Sequence, residues 1–395
     1  MTGLRIAVIA GEESGDLLGA GLMAALRRSE PDVSFIGVGG RHMEAEGLRS
    51  LFPLDEIAVM GPVAIARALR PLLRRIRQAA GDVIAARPDA LVIIDSPEFT
   101  HRVAKRIRKA LPALPIINYS PPTVWAWRSG RARAMRFYVD RAMALLPFEP
   151  AAYSRLGGPP CDYVGHPVVE AAKRHLAADL PAEATDADPL LVVLPGSRRS
   201  EISRLLGPFA ATVARLAAAG HRFRVAMPAV GHLVEELHAA TRAWPVPVEI
   251  VEGEEQKWLA FRRARAALAA SGTVTLQLAI ADVPMVVGYK VEPAVAWLAP
   301  VFRRLFPMRS VVMANLILDE NVVPEFIEEP CTPENLSSAL ALILGEGRER
   351  RKQIEGFSEI RRRMQMDGAT PSERAAEIVL ETARRASAER GVGAS

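Results

Sequence analysis

The residues of this chain that carry chemistry fall into two sets. The first centres on VIIDSPEFTHRVAK, residues 92–105, where Asp95 closes an apolar run and Pro97 stops the chain continuing as an interior strand. A carboxylate at a strand's carboxyl end faces the ligand crevice of an α/β sheet, and partial burial there raises its pKa towards that of a useful general base. The plainer reading is that Asp95 caps the following helix. Glu98 and His101 stand close by and read as helical surface. Upstream, IAGEESGDLLGAGL (9–22) follows an apolar run as a phosphate loop would. Its glycines, Gly11, Gly15, Gly19 and Gly21, fit neither G-x-G-x-x-G nor G-x-x-x-x-G-K-[ST]. It has no lysine, and Glu12 and Glu13 would repel an anion.

The second set lies beyond residue 190. In VVLPGSRRSEI (192–202), Gly196, Ser197 and Arg198 place backbone N–H groups and a guanidinium where a helix begins, which suits a diphosphate. Ser197 or Ser200 as a simple N-cap is the alternative. In ASGTVTLQLAIADVPMVVGY (270–289), Ser271, Gly272 and Thr273 allow close approach of backbone to phosphate, and Gln277 one helical turn on reaches a ribose hydroxyl. Alone, that segment is an ordinary βαβ turn. NYSPPTVWAWRSGRARAM (118–135) sets Trp125 and Trp127 among prolines as a cleft wall. Aromatics beside basic residues also stack on bases, but no RNA-binding motif accompanies them, so no nucleic acid partner is expected. IARALRPLLRRIRQ (65–78) and WLAPVFRRLFPMR (297–309) mix apolar and basic side chains, the latter with Trp297, Phe302 and Phe306 beside Arg303 and Arg304. Each reads either as a helix with a solvated basic face or as a surface for anionic lipid. The histidines form no HExxH motif and no Cys/His cluster, so neither a metal nor a cofactor is expected.

These residues need a scaffold, and short apolar runs alternating with longer amphipathic stretches supply one of βα units with parallel sheets. The first series of strands is expected at 4–10, 33–38, 90–95, 115–119 and 142–147. The second is expected at 190–197, 223–228, 248–253, 266–272 and 284–289. The fold class is α/β: two doubly wound, Rossmann-like domains, with ligands at the carboxyl ends of strands and in the cleft between the halves. The domains are set at 1–176 and 190–346, joined by the acidic, Ala/Pro-rich linker 177–189. Residues 347–395 form terminal helices packing back on the first domain. TPSE at 370–373 reads as a capping box opening a helix near Pro371, and GVGAS should fray.

Composition sets the outer bounds. At 395 residues one hydrophobic core does not suffice, and the apolar share of 50% belongs to a globular chain. Cys161 and Cys331 are too few for a disulfide framework, which points to a reducing cytosol. No apolar run spans a membrane, no secretion signal opens the chain, and a net charge of +5 permits an anionic partner without requiring one.

Taken in order, GEESGDLLGAGL, GVGGRHMEAEG, IAVMG (57–61), IDSPEF, SPPTVWAWR, LPFE, GHP (165–167), LPGSR, SGT and PMVVGY closely resemble the lipid-A-disaccharide synthase family over about residues 4–385. Each motif is modest; the ordered set is specific. The resemblance implies an inverting, metal-independent glycosyltransferase of the GT-B arrangement. It would move 2,3-diacylglucosamine from its UDP derivative onto 2,3-diacylglucosamine 1-phosphate at the cytoplasmic face of the inner membrane, in contact with anionic lipid. It places UDP with the second domain around LPGSR and SGT, and the acceptor and base with the first. On the matching positions Asp95, Glu12, Arg198 and Asn315 are carried over as catalytic. Gly11, Ser14, Gly15, Trp127, Gly196, Ser197, Ser271, Gly272, Thr273, Gln277 and Glu325 are carried over as substrate-binding. Gln277 stands where the family often has Glu, which lowers its rank. Glu12 either orients the base, or meets sugar hydroxyls, or only caps its helix. A UDP-sugar 2-epimerase of the same architecture and a non-enzymatic anionic-lipid binder are the rival readings, and a homodimer is compatible with all three.

Overall fold

Two six-stranded parallel sheets organise the chain. The structure, a computed structural model, describes residues 3–57, 62–176, 188–291, 309–365 and 368–392. The expected linker (except Asp188 and Pro189), residues 58–61 of IAVMG, the segment 297–308 and the last three residues therefore lie outside the described residues.

The first sheet is built from β1 (Arg5–Ala10), β2 (Ser34–Val38), β3 (Ala90–Ile94), β4 (Ile116–Tyr119), β5 (Arg141–Ala144) and β6 (Cys161–Tyr163). Its spatial order is β2-β1-β3-β4-β5-β6. Every β3 residue and all of β1 after Arg5 are buried, because helices cover both faces and leave no side of the strand to solvent. One face packs on α1 (Glu13–Ser29) and on the terminal helix Pro371–Val392, through Leu22, Met23, Leu26, Ala376 and Val379. The other packs on α3 (Pro62–Ala86) and α4 (Thr100–Ala110), through Ile76, Val83, Val103 and Ile107. The connections include α2 (Arg41–Ala45), α5 (Gly130–Met135) and α6 (Glu149–Arg155).

After α7 (Pro167–Leu176), the second sheet uses β7 (Leu190–Leu194), β8 (Arg224–Ala229), β9 (Val248–Glu252), β10 (Ala264–Ala269), β11 (Met285–Tyr289) and β12 (Glu325–Ile327). Its order is β12-β11-β10-β7-β8-β9. The helices α8 (Arg199–Ala218), α9 (Val234–Thr241), α10 (Glu254–Arg263) and α11 (Thr273–Ile280) join these strands. The ten expected strands are all present within a few residues. β6 and β12, three residues each at sheet edges, carry too short an apolar run to be read from sequence.

The chain divides into one unit of Met1–Pro167 with Met366–Ser395 and another of Val168–Gln365. The helix Arg348–Met364, expected on the first domain, belongs to the second. Its buried Gln353 side chain accepts from the Met285 amide at 2.8 Å and donates to the Met285 carbonyl at 3.0 Å, which clips it to β11. The helix from Pro371 does return to the first unit. Its capping box is formed: Thr370 N donates to the Glu373 carboxylate at 2.9 Å, and Glu373 N to Thr370 Oγ1 at 3.3 Å.

Candidate active site

In an open parallel sheet the chain crosses over in opposite directions on either side of one pair of strands, and the ligand crevice opens there. The first sheet has that switch between β1 and β3, the second between β7 and β10. Both expected clusters sit at these points: Gly11–Gly15 and Asp95 follow β1 and β3, whereas Gly196–Arg198 and Ser271–Thr273 follow β7 and β10.

At the first switch point Asp95 stands just past β3 in a left-handed conformation (φ 47°), as does Ser96 (φ 38°). Asp95 is not a helix cap, since α4 begins five residues on at Thr100, whose Oγ1 bonds the Asp95 carbonyl at 2.6 Å. Its carboxyl Oδ2 accepts from Ser14 Oγ at 2.7 Å, while Oδ1 is buried without a hydrogen bond. Burial pushes the carboxyl up to about 6, with a contribution from the Glu12 charge; the Ser14 hydroxyl and the amides of Ser96 and Gly15 pull the other way. Glu12 occupies the N-cap position of α1 but makes no side-chain cap hydrogen bond, so the reading of Glu12 as a helix cap is set aside.

The glycines of this loop serve contact. A Cβ on Gly11 would lie 2.1 Å from the Ser96 Cβ, and one on Gly15 would lie 3.0 Å from Asp95 Oδ2. The anion that a glycine-rich turn invites is supplied by the protein. Asp16, buried, accepts from the amides of Gly40, His42 and Met43 at 2.7, 2.9 and 3.0 Å, and so neutralises the start of α2. Its pairing with the GVGG turn was missed because the partners are backbone groups 24 to 27 residues away.

Past β4, Trp125 is tied into the fold: its Nε1 donates to the buried Glu149 carboxylate at 3.0 Å, and its ring meets Phe148 edge-on. Trp127 is exposed, with the Arg128 guanidinium 4.4 Å above its ring. One reading needs correction. His101 is buried rather than on the helical surface; its Nδ1 meets the Tyr138 hydroxyl at 2.9 Å, and burial drops its pKa to about 3, so it is neutral. In 65–78 the described residues form an amphipathic helix, with Arg70, Arg74 and Arg77 exposed and Leu72 and Leu73 packed on the core; Arg75 alone is largely covered, paired with Glu56 at 2.5 Å and stacked 4.8 Å from the Phe52 centroid.

At the second switch point a cavity of about 630 Å³ brings together Gly196, Ser197, Arg198, Ser271, Gly272, Thr273 and Gln277. Gly196 (φ 119°) and Gly272 (φ 150°) supply torsions closed to other residues. Thr273 and Val274, which open α11, line the same space, and the first amides of a helix lack intrahelical acceptors. The Ser197 amide is already taken, since it donates to Glu201 at 3.1 Å, and Arg198 pairs with Glu201 at 3.3 Å. Lys257, paired with Glu254 at 2.6 Å, also lines the cavity and was not foreseen; it comes from α10, far along the chain.

Asn315 and Glu325 do not line this cavity. Asn315 is buried and fully committed: Oδ1 accepts from the amides of Val322 and Val323, and Nδ2 donates to the Val323 carbonyl at 2.9 Å and to Ser310 Oγ at 3.3 Å. One Glu325 oxygen accepts from Ser310 Oγ and from the Val311 amide, and the Val311 carbonyl accepts from Ser271 Oγ at 2.8 Å. The two residues thus hold the segment that bonds Ser271. Among the described residues no helix is long and apolar enough to cross a membrane.

A family model described as Lipid-A-disaccharide synthetase matches residues 6–379. A lipid-A-disaccharide synthase of Nitrobacter hamburgensis is 52% identical over 380 residues, covering 96% of this chain and 95% of that protein. One of Rhodopseudomonas palustris is 52% identical over 385 residues, covering 96% and 97%. Among solved structures, a UDP-GlcNAc 2-epimerase from Neisseria meningitidis bound to UDP-GlcNAc gives a TM-score of 0.61 at 11% identity, covering 97% of this chain and 100% of that one. Likeness at that identity carries the fold, two Rossmann-like units of the GT-B class, and nothing about the reaction.

Proposed function

The chain belongs to the lipid-A-disaccharide synthase family, and from that premise we propose how its two switch points divide the work. The enzyme is a glycosyltransferase. It moves 2,3-diacylglucosamine from UDP-2,3-diacylglucosamine to 2,3-diacylglucosamine 1-phosphate, giving the β-1,6-linked disaccharide 1-phosphate and UDP.

Asp95 is the general base. Ser14 anchors its Oδ2, so the buried Oδ1 that lacks a hydrogen bond is the atom that receives the proton of the acceptor's 6-hydroxyl. The hydroxyl oxygen forms its bond to the donor's anomeric carbon from the side opposite the diphosphate. The carbon–oxygen bond to the diphosphate breaks, the electron pair leaves with UDP, and the anomeric configuration inverts. Arg198 exchanges its contact with Glu201 for the departing diphosphate, joined by the amides that open α11. Gln277, one turn into α11, meets the ribose hydroxyls.

The observation that carries this reading is the Asp95 carboxyl: at a switch point, held on one oxygen, with burial lifting its pKa to about 6. The test supplies the full-length enzyme with the UDP-sugar, with and without the phosphorylated acceptor. Disaccharide and UDP appearing together, only when acceptor is present, support it. Epimerised or hydrolysed sugar nucleotide in the absence of acceptor would favour the epimerase reading, which rests on fold alone. Because both sugars are acylated, the enzyme works as a peripheral protein at the cytoplasmic face of the inner membrane. Salt-sensitive co-sedimentation with anionic liposomes checks that, and recovery of all the protein in the supernatant at low salt would refute it.

A further inference from the structure

A second pocket of the first unit, of about 460 Å³, opens between α4 and α5 on the carboxyl-end side of the sheet. Arg102, Lys105, Arg128 and Arg131 face it, with Glu98 as the one carboxylate in its lining; four cations against one anion leave three positive charges. Glu98 gathers three of them. One oxygen pairs with Arg131 at 2.7 Å and Arg128 at 3.3 Å, the other with Arg102 at 3.4 Å. Burial alone would raise the Glu98 carboxyl, but Arg131 first, then Arg102 and Arg128, hold it below the ordinary range. A single carboxylate shared by three guanidinium groups orders them without neutralising them.

Two further features aim this cluster. Arg128 holds a left-handed backbone (φ 51°), as does Ser120 (φ 54°) at the start of the same loop, so the segment pays torsional strain to present its side chains. Tyr138 forms the floor, with Lys105 Nζ 4.8 Å from its ring centroid and the neutral His101 behind it. The pocket is also tied to the base. Glu98 lies three residues after Asp95, at most about 11 Å of chain, in the turn that Phe99 and Thr100 close onto the Ser96 carbonyl.

We infer that this pocket seats the phosphomonoester of the acceptor, so that the acceptor is gripped by its 1-phosphate while its 6-hydroxyl meets Asp95 across the sugar ring. The inference rests on the reaction proposed above. A phosphomonoester carries about −1.5 to −2 charges near neutral pH, which the three excess positive charges of the cluster more than offset. Guanidinium groups bond such an oxygen set in pairs, which an ordinary solvated arginine surface does not arrange. The pocket thereby selects against acceptors whose anomeric position bears no phosphate.

The test is a cycle of enzyme and acceptor, with UDP-2,3-diacylglucosamine as donor. Wild type, Arg131→Ala, Arg128→Ala and Arg131→Lys are each assayed on the 1-phosphate acceptor and on the same diacylglucosamine without phosphate. Either alanine variant should raise the acceptor KM about ten- to a hundredfold while the donor KM stays put, and Arg131→Lys should recover part of the loss. Removing the phosphate should weaken the wild type comparably, and the two changes should not add. Equal losses of an alanine variant on both acceptors, or an unchanged acceptor KM in variants that melt like wild type, would overturn the inference. So would lost binding to phosphatidylglycerol vesicles with acceptor KM intact, which would make the cluster a headgroup contact. No transfer by the wild type to either acceptor would instead refute the reaction itself.

Discussion

In the proposed division of work the β1/β3 switch point acts through a side chain, whereas β7/β10 acts through backbone with one guanidinium beside it. The glycines explain the division. Gly11 and Gly15 lack side chains because Ser96 and Asp95 fill the space where a Cβ would stand. Gly196 and Gly272 both need their torsions, and they differ in room: a Cβ on Gly272 would meet nothing within 4 Å, whereas one on Gly196 would lie 2.6 Å from the Glu201 Cβ. Spent on contact, glycine presses a carboxylate into a poorly hydrated seat and makes it basic. Used for torsion at Gly272, it leaves open space beside the start of α11. On the proposed roles, the same sheet architecture would serve as the seat of a base in one unit and of an anion in the other.

Asp95→Asn should break the first region while sparing the second: turnover falls about 10²- to 10⁴-fold, since an amide cannot accept the proton. UDP affinity by titration stays at the wild-type value. Retained turnover would move the base elsewhere, with Glu12 the next candidate. Arg198→Ala should do the converse, weakening UDP about ten- to a hundredfold through loss of a charge-assisted contact. UDP titrating alike into both proteins would leave Arg198 a surface partner of Glu201.

The glycines sharpen the contrast further. Gly11→Ala forces the two turns of the first unit apart, costing about 1–3 kcal/mol of stability and lowering acceptor turnover with UDP binding intact. Gly272→Ala meets no clash but adopts a disfavoured torsion, costing a similar 1–3 kcal/mol and registering in UDP affinity. Thermal melts beside the two assays separate these outcomes, and a swap of the two signatures would refute the division.

The smallest effects concern pH. With the Asp95 carboxyl near 6, kcat/KM should fall as pH drops through that value, and Glu12→Gln should move this limb to lower pH by removing a charge that raises the carboxyl. The stability sign runs opposite to activity. A folded-state value above the unfolded 3.8 means that the protonated form stabilises the fold, fully below 3.8 and no longer above about 6. Asp95→Asn should therefore melt higher than wild type near pH 8, by about 1–3 kcal/mol, with the gain vanishing near pH 4. Equal melting at both would mean that the carboxylate is better solvated than its burial implies.

Much of this was legible in the sequence wherever physics acts locally. Strands buried on both faces are continuous apolar runs, so ten of twelve stood out, and Asp95 was marked by the Pro97 that follows it. Strand order is not local, so the coincidence of both clusters with switch points emerged only from the paired registers. His101 was misread because Arg102, Lys105 and Arg106 crowd it in sequence, whereas the buried stripe of α4 runs Thr100, Val103, Ala104, Ile107 and takes His101 with it. The partners of Asn315 were not legible, because three of them are backbone groups that no residue pattern reveals.

The helix Pro371–Val392, which braces α1 and hence Ser14, has a consequence for how the enzyme is made. During translation Val168–Gln365 is complete as a contiguous stretch, while the first unit still waits for its closing helix. Between Pro167 and Pro371 lie about 200 residues, roughly 10–40 s of synthesis at ribosomal rates, through which Leu22, Met23 and Leu26 have the sheet but not the terminal helix to pack on. The half emerging first from the ribosome is thus the last to mature. On the proposed division of work, a chain terminated before Pro371 would keep the nucleotide seat of Val168–Gln365 but lack the brace behind Ser14 and Asp95, and so would be born inactive rather than unregulated.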